Sequence, residues 1–147
     1  MIFAAIIQVE ETTDAQMAMF VELSEKYNKP EEAYGIVELF ANCAASYRVE
    51  AELFEPDKPA SAEFRRNLAN GAEMVSLFIG SLHYDAPAPM TTGMIETRIT
   101  QYVANFEMAP DEAVADLQNN LSVCVDASLF QKSVIDAMRQ TLPASQN

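Results

Sequence analysis

The sequence predicts an all-α fold, a compact bundle of five or six helices with a central antiparallel helix pair. Apolar residues recur three and four positions apart over long stretches, which is the pattern of amphipathic helices. Glycine occurs only 4 times in 147 residues, and the 7 prolines fall between the periodic stretches, where they mark helix boundaries. Because the length is that of one domain, we treat residues 1–147 as a single helical domain.

The first predicted helix lies before the first proline and ends near Asn28. Thr13 and Gln16 at its start have the spacing of a capping box. One side of it carries the apolar residues Met19, Phe20, Leu23 and Tyr27. The apolar segment upstream, residues 1–9, has neither the basic leader nor the long apolar core of a signal peptide. We expect this segment to dock on the body of the domain.

The two central helices are predicted in the stretches that follow Pro30 and Pro59. The first opens with two acids, which the positive end of a helix dipole favours, and Ser61 is expected to cap the second. The apolar stripe of the first is wide, so this helix should pack on more than one side. Small residues on both helices should let them approach closely. They are Ala41, Ala44 and Ala45 on the first helix, and Ala72, Ser76 and Gly80 on the second.

The rest of the chain is expected to contain a loop and two or three further helices. Asp85–Met90 contains two prolines and is predicted to be irregular, with Thr92 capping the next helix. Ser128 and Gln131 again have capping-box spacing, so a break before them should separate a terminal helix. One kinked helix over residues 111–142 is the alternative.

The charge balance constrains the partners of the protein. Twenty-two acidic residues and nine basic ones give a net charge of -13, and such a surface repels nucleic-acid phosphates. Direct binding of DNA or RNA is therefore not expected, and a charged partner should be basic. The longest stretch that is poor in charge, residues 67–84, is too polar to cross a membrane. We predict no membrane association.

The chain has two cysteines, Cys43 and Cys124, far apart and each inside an apolar stretch. This spacing is typical of small buried thiols and not of a disulfide framework or a zinc site. We expect both thiols to be reduced and the protein to be cytoplasmic.

No residue pattern specific to a catalytic, cofactor or metal site is present. His83 is the one histidine, and its place at a predicted helix end favours a cationic imidazole that faces the dipole or Asp85. The glycines are too far apart to form a phosphate-binding loop. Arg65 and Arg66 are expected to pair with neighbouring acids such as Glu63. We predict no catalytic residue, no cofactor and no metal, and a function that is not enzymatic.

The most informative surface feature is a shortage of basic residues. Arg98 is the single base between Asn67 and Gln131, where acids are frequent. Such a surface promotes solubility, and it can also bind a basic protein. Met90 and Met94 flank the predicted loop and add apolar contact. The candidate partner-binding residues are Asp85, Met90, Met94, Glu107, Asp111, Glu112 and Asp116.

The sequence therefore favours an acidic helical interaction protein, and a homodimer is one form that it could take. A narrower form is an inhibitor of a nucleic-acid-binding enzyme, of the kind that phages or mobile elements encode, in which carboxylates imitate DNA phosphates. The alternatives are an assembly chaperone or structural subunit of a larger complex, and a small-molecule binder or enzyme that uses His83.

Overall fold

The computed structural model describes residues 30–140 and, upstream of them, Glu25. Residues 30–140 form five helices and contain no strand: α1 (Pro30–Phe54), α2 (Pro59–Ser81), α3 (Pro87–Met108), α4 (Pro110–Asp126) and α5 (Ser128–Gln140). The predicted all-α bundle is confirmed. The expected helix that ends near Asn28, the docking of residues 1–9 and any helical residues after Gln140 lie outside the described residues, except that Glu25 is helical and exposed.

Proline opens each of the helices α1 to α4. The first turn of a helix suits proline because the amide hydrogen that it lacks has no partner there. α3 therefore begins at Pro87 and takes in Pro89, so the predicted loop is shorter than expected and Thr92 lies inside the helix. For the same reason Ser61 lies inside α2 and does not cap it. Both cap predictions were wrong.

Helices α1 and α2 form the predicted antiparallel pair at the centre of the bundle, and α1 also packs on α3 and α4. The small residues of both helices are buried. Ser76 Oγ donates a hydrogen bond to the backbone carbonyl of Val37 at 2.9 Å, which shows how closely the helices approach. A Cβ added at Gly80 would lie 3.3 Å from Pro87 Cβ, so α3 is also close at this point. The predicted close contact of the pair is confirmed.

The helix directions give the bundle two distinct ends. α3 runs parallel to α1. Thr91, near the start of α3, is hydrogen-bonded to Ser76, which also bonds to Val37 of α1, whereas Tyr102, farther along α3, is hydrogen-bonded to Ser46, farther along α1. α4 runs antiparallel to α1, since Cys43 meets Cys124 while Val49, farther along α1, packs with Leu117. One end therefore holds the N-termini of α1 and α3, and the other end holds their C-termini together with the N-terminus of α4.

The two cysteines are joined by a disulfide bond that ties α1 to α4. Cys43 and Cys124 are both buried, and their Cα atoms are 5.6 Å apart. The prediction of two reduced thiols was wrong. The apolar setting of each cysteine was recognised, but the pairing depends on how two helices pack on one another, and the cysteines that they bring together are 81 residues apart in sequence.

The break between α4 and α5 is confirmed and falls at Ala127. Ser128 is the first residue of α5 and not its cap. Gln131 does not complete a capping box, because its Nε2 donates to the backbone carbonyl of Leu68 in α2 at 3.3 Å. Gln131 is buried, so its amide needs such a partner, and the bond holds α5 against α2.

Candidate functional site

Arginine side chains connect the two central helices through salt bridges. Arg65 Nε lies 2.9 Å from Glu50, and Arg66 Nη1 lies 2.6 Å from Glu55. Arg48 of α1 forms a salt bridge with Glu73 of α2, so here the base lies on the first helix and the acid on the second. The predicted pairing of Arg65 and Arg66 with Glu63 was wrong, since both arginines reach across to acids that precede α2.

Two more bases are neutralised elsewhere in the bundle. Arg98 of α3 pairs with Asp116 of α4 at 3.1 Å, and Lys132 pairs with Asp136 one turn along α5 at 3.0 Å. Of the seven lysines and arginines in residues 30–140, five are therefore paired with acids, and few cations remain for the other acids.

The remaining acidic side chains of residues 30–140 are exposed and form no salt bridge with a described cation. They are Glu31, Glu32, Glu38, Glu52, Asp57, Glu63, Asp85, Glu96, Glu107, Asp111, Glu112 and Asp126. The acids of this part of the chain therefore divide into matched pairs and a larger set of unmatched surface carboxylates.

Three of these carboxylates occupy unfavourable positions. Glu52, Glu107 and Asp126 lie in the last turns of α1, α3 and α4, and none of these turns contains a basic residue. The C-terminal end of a helix carries partial negative charge, so each carboxylate costs roughly 0.3–1 kcal/mol in comparison with a neutral side chain. These acids do not stabilise the helices that carry them.

Four of the predicted contact residues lie close in sequence around the turn from α3 to α4, where Ala109 alone separates the two helices. We call this surface the acidic corner: Glu107, Met108, Asp111, Glu112 and Asp116. Three of its acids are unpaired, and Met108 has 83% of its surface exposed. A shallow depression of ≈ 300 Å³ lies beside them and is lined by Asn105, Ala109, Glu112, Ala113 and Asp116.

The other predicted contact residues lie elsewhere. Asp85 is exposed before α3, whereas Met90 and Met94 are half-buried against the main core. Asp85 and Glu107 are separated by almost the whole of α3, which spans about 33 Å at 1.5 Å per residue. The predicted residues therefore form two separate surfaces, and the methionines contribute mainly to packing.

A buried polar chain fixes the position of α4 beneath the acidic corner. Ser46 Oγ donates to the carbonyl of Asn42, so the hydroxyl of Tyr102 must donate to Ser46, at 2.9 Å. Asn120 in turn donates to the Tyr102 oxygen. Arg98 lies over the Tyr102 ring, 4.5 Å from its centroid. This network was missed in the sequence because its members come from three helices.

His83 follows the end of α2, where its backbone amide donates to the carbonyl of Gly80 at 3.2 Å. Its side chain is half-buried, and it lines none of the three cavities that lie beside Gly93, Met74 and Glu112. In the described part of the chain, no group of three His, Cys, Asp or Glu side chains could hold a metal ion.

A second surface feature is an apolar groove between α2 and α5, of ≈ 760 Å³. We call it the α2–α5 groove. Phe64, Met74 and Leu129 at its edges are exposed by 57%, 41% and 77%. Its charged lining residues are Lys132, Asp136 and Arg139. Nothing in the sequence pattern indicated this groove, since it depends on the angle at which α5 meets α2.

Tyr47 lies in the floor of the α2–α5 groove. Burial raises the pKa of its hydroxyl above the ordinary value of 10.0, and the nearby Glu50 carboxylate raises it further, while Arg65 lowers it. The hydroxyl is therefore a proton donor and not a base at neutral pH.

Comparison with protein-family models, with curated proteins and with solved structures finds no match to this chain. No helix among the described residues combines the length and the apolar character that crossing a bilayer requires. The function must therefore be argued from the surfaces themselves.

Proposed function

We propose that this protein is a non-enzymatic acidic interaction module that binds a basic protein through the acidic corner. The observation that carries the proposal is the surplus of exposed, unpaired carboxylates, among them Glu107 at a helix end that disfavours it. Residues that break a local stability rule are expected where function needs them. Asp111 and Glu112 have a structural role as well, because acids in the first turn of α4 suit the helix dipole.

The acidic corner has the composition of a charge-steered contact. Unpaired carboxylates speed the encounter with a positive surface, and their effect falls as salt screens them. Met108 is nearly fully exposed beside them and supplies an apolar anchor of the kind that interfaces bury at their centre. A basic partner would bury the exposed side chain of Met108.

A narrower form of the proposal is that the partner is a nucleic-acid-binding enzyme that the protein inhibits. Duplex DNA carries about one charge per 1.7 Å of axis, so carboxylates that compete with it must be closely spaced. In the corner, Asp111, Glu112 and Asp116 lie in the first two turns of α4, and Asp111 and Glu112 form no salt bridge with a described cation. Direct nucleic-acid binding by this chain is not part of the proposal.

The disulfide bears on the compartment in which the protein would act. The expectation of a cytoplasmic protein rested on reduced thiols, and the Cys43–Cys124 bond removes that basis. Disulfides persist mainly in oxidising compartments. We therefore favour a partner that is exposed to the same oxidising conditions.

The proposal is tested by capture from native lysate at low salt, with elution by a salt gradient and identification by mass spectrometry. The bait is the full chain, compared with a variant in which the corner loses three charges through Glu107→Gln, Asp111→Asn and Glu112→Gln. A matched control loses three exposed, unpaired charges elsewhere through Glu38→Gln, Glu63→Gln and Glu96→Gln.

A basic protein that binds the wild-type chain and the matched control, but not the corner variant, supports the proposal. Its release by added duplex DNA would support the inhibitor form. If the corner variant and the matched control retain the same proteins to the same extent, the position of the lost charges has no effect on binding. The acidic corner is then not a binding site.

Two alternatives from the sequence make different structural demands. An assembly chaperone or structural subunit needs an exposed apolar surface, and the α2–α5 groove is a described surface of that kind. An enzyme that uses His83 needs a cavity around the imidazole, and His83 lines neither the groove nor the depressions beside Gly93 and Glu112.

A further inference from the structure

We propose that the α2–α5 groove is the face on which a second copy of this chain binds, forming a two-fold symmetric dimer. The groove is a different surface from the acidic corner, and the dimer does not depend on the function proposed for that corner. Three features support the dimer: the apolar side chains at the groove, the charges that line it and the shape of the trough.

The edges of the groove expose large apolar side chains from both helices. Phe64 and Met74 project from α2, and Leu129 projects from the first turn of α5. Leu68 and Ile135 lie deeper and are partly buried against the main core. Large side chains of this kind that border one trough mark a binding surface, whereas scattered single apolar residues would not.

The charges at the groove favour a second copy over a basic partner. Two copies that each carry a net charge of -13 repel one another wherever unpaired acids face each other. The α2–α5 groove is lined by two bases and one acid, whereas both charged residues of the depression at the acidic corner are acids. Contact through the groove therefore brings less repulsion than contact through the corner, and Arg139, which pairs with no described acid, would disfavour a basic protein.

The trough also has the dimensions of a helix pairing. Phe64 and Met74 are ten residues apart on α2, which is about 15 Å of helix or nearly three turns. A two-fold axis would set α5 of one copy in the trough of the other, with each Leu129 against the opposite α2. In this antiparallel arrangement each Lys132 can face the Asp136 carboxylate of the other copy in place of the Asp136 with which it pairs along its own helix, since the two residues lie one turn apart on the same face of α5.

Sedimentation velocity of the full chain over a concentration series tests the proposal. We expect a monomer–dimer equilibrium, and we expect Leu129→Glu to weaken it by at least about tenfold, because a buried apolar anchor is replaced by a charge that faces acidic copies. Val103→Glu is the matched control, since Val103 is 50% exposed on α3 and does not line the groove. It should leave the dimer unchanged.

Added salt gives a second readout. It should strengthen the dimer, because it screens the repulsion between two acidic molecules while the apolar contact persists. Met74→Glu repeats the test from the α2 side and covers the case in which Leu129→Glu alters the monomer.

The proposal is overturned if the chain stays monomeric at every concentration and salt level, or if a dimer persists equally in Leu129→Glu and Met74→Glu. It is also overturned if the chain stays monomeric and the groove binds a foreign helix. The two proposals can be separated with the Leu129→Glu variant. If this variant no longer dimerises but still captures the basic partner, the function proposed for the acidic corner does not depend on the dimer.

Discussion

The acidic corner and the α2–α5 groove are both exposed, but they differ in charge and in depth. The corner presents unpaired carboxylates around one exposed methionine, beside a shallow depression. The groove presents apolar side chains from two helices and has more basic than acidic lining residues. The net charge of -13 is therefore not spread evenly, and we expect association through the one surface and association through the other to respond to salt in opposite senses.

The way in which each surface is held also differs. α4 beneath the acidic corner is fixed by a disulfide to α1 and by the Tyr102 hydrogen bonds. α5 beside the groove is held by Gln131, by buried Val134 and Ala137, and by stacking of Phe130 on Phe40. We expect the corner to be the more rigidly supported of the two surfaces.

The largest predicted effect concerns the disulfide that supports the acidic corner. Closing a loop with an 81-residue separation restricts the unfolded chain, so reduction should lower the free energy of unfolding by roughly 3–5 kcal/mol. Denaturant unfolding with and without a reductant measures this loss. The double variant Cys43→Ala, Cys124→Ala should not respond to the reductant, and a wild-type chain that is equally indifferent would contradict the role given to the bond.

The next effect concerns the polar chain on which α4 rests. Tyr102→Phe removes the hydroxyl that accepts from Asn120 and donates to Ser46, so Ser46 loses a partner in a buried setting and Asn120 loses one in a half-buried setting. We expect a loss of about 1–3 kcal/mol in the free energy of unfolding, which chemical denaturation measures. Tyr34→Phe is the control, because Tyr34 is exposed. Equal losses in both variants would show that the network is not stabilising.

A pH titration examines the floor of the groove. The pKa of Tyr47 is raised mainly by burial and by Glu50, so the unfolded chain releases this proton first as pH rises. Below pH 10.0, the pKa of this hydroxyl in the unfolded chain, its full contribution to the free energy of unfolding is present. That contribution is lost as pH rises from 10.0 through the higher pKa of the folded chain. The midpoint temperature of thermal unfolding should fall less steeply with rising alkaline pH for Tyr47→Phe than for the wild type. Identical slopes would mean that Tyr47 does not titrate differently in the folded chain.

The smallest effect compares two acids of the corner at opposite helix ends. Glu107→Lys should raise the free energy of unfolding by roughly 0.3–1 kcal/mol, and Asp111→Lys should lower it by a similar amount, because the dipoles of α3 and α4 act in opposite senses there. Both changes alter the charge equally, so both should weaken capture of a basic partner. Chemical denaturation gives the first comparison, and opposite effects on capture would show that the two acids do not share a binding surface.

The sequence allowed prediction of those features that depend on residues close in the chain. The proline boundaries, the wide apolar stripe of α1 and the small residues of the central pair came from spacing alone. The Cys43–Cys124 bond and the partners of Arg65 depend instead on the rotation of one packed helix against another, which spacing does not specify. The Asp85 and Glu107 candidates were grouped by charge, and only the continuous length of α3 shows that they lie apart.

A single NaCl series, over which the Debye length falls from about 30 Å to about 3 Å, examines both surfaces of the protein at once. Dimerisation is followed by sedimentation, and retention of the captured basic partner is followed by elution from the immobilised chain. We predict that rising salt strengthens the dimer and releases the partner. If both associations weaken together, or both strengthen together, the division of the surface into an acidic corner and a self-associating groove is wrong.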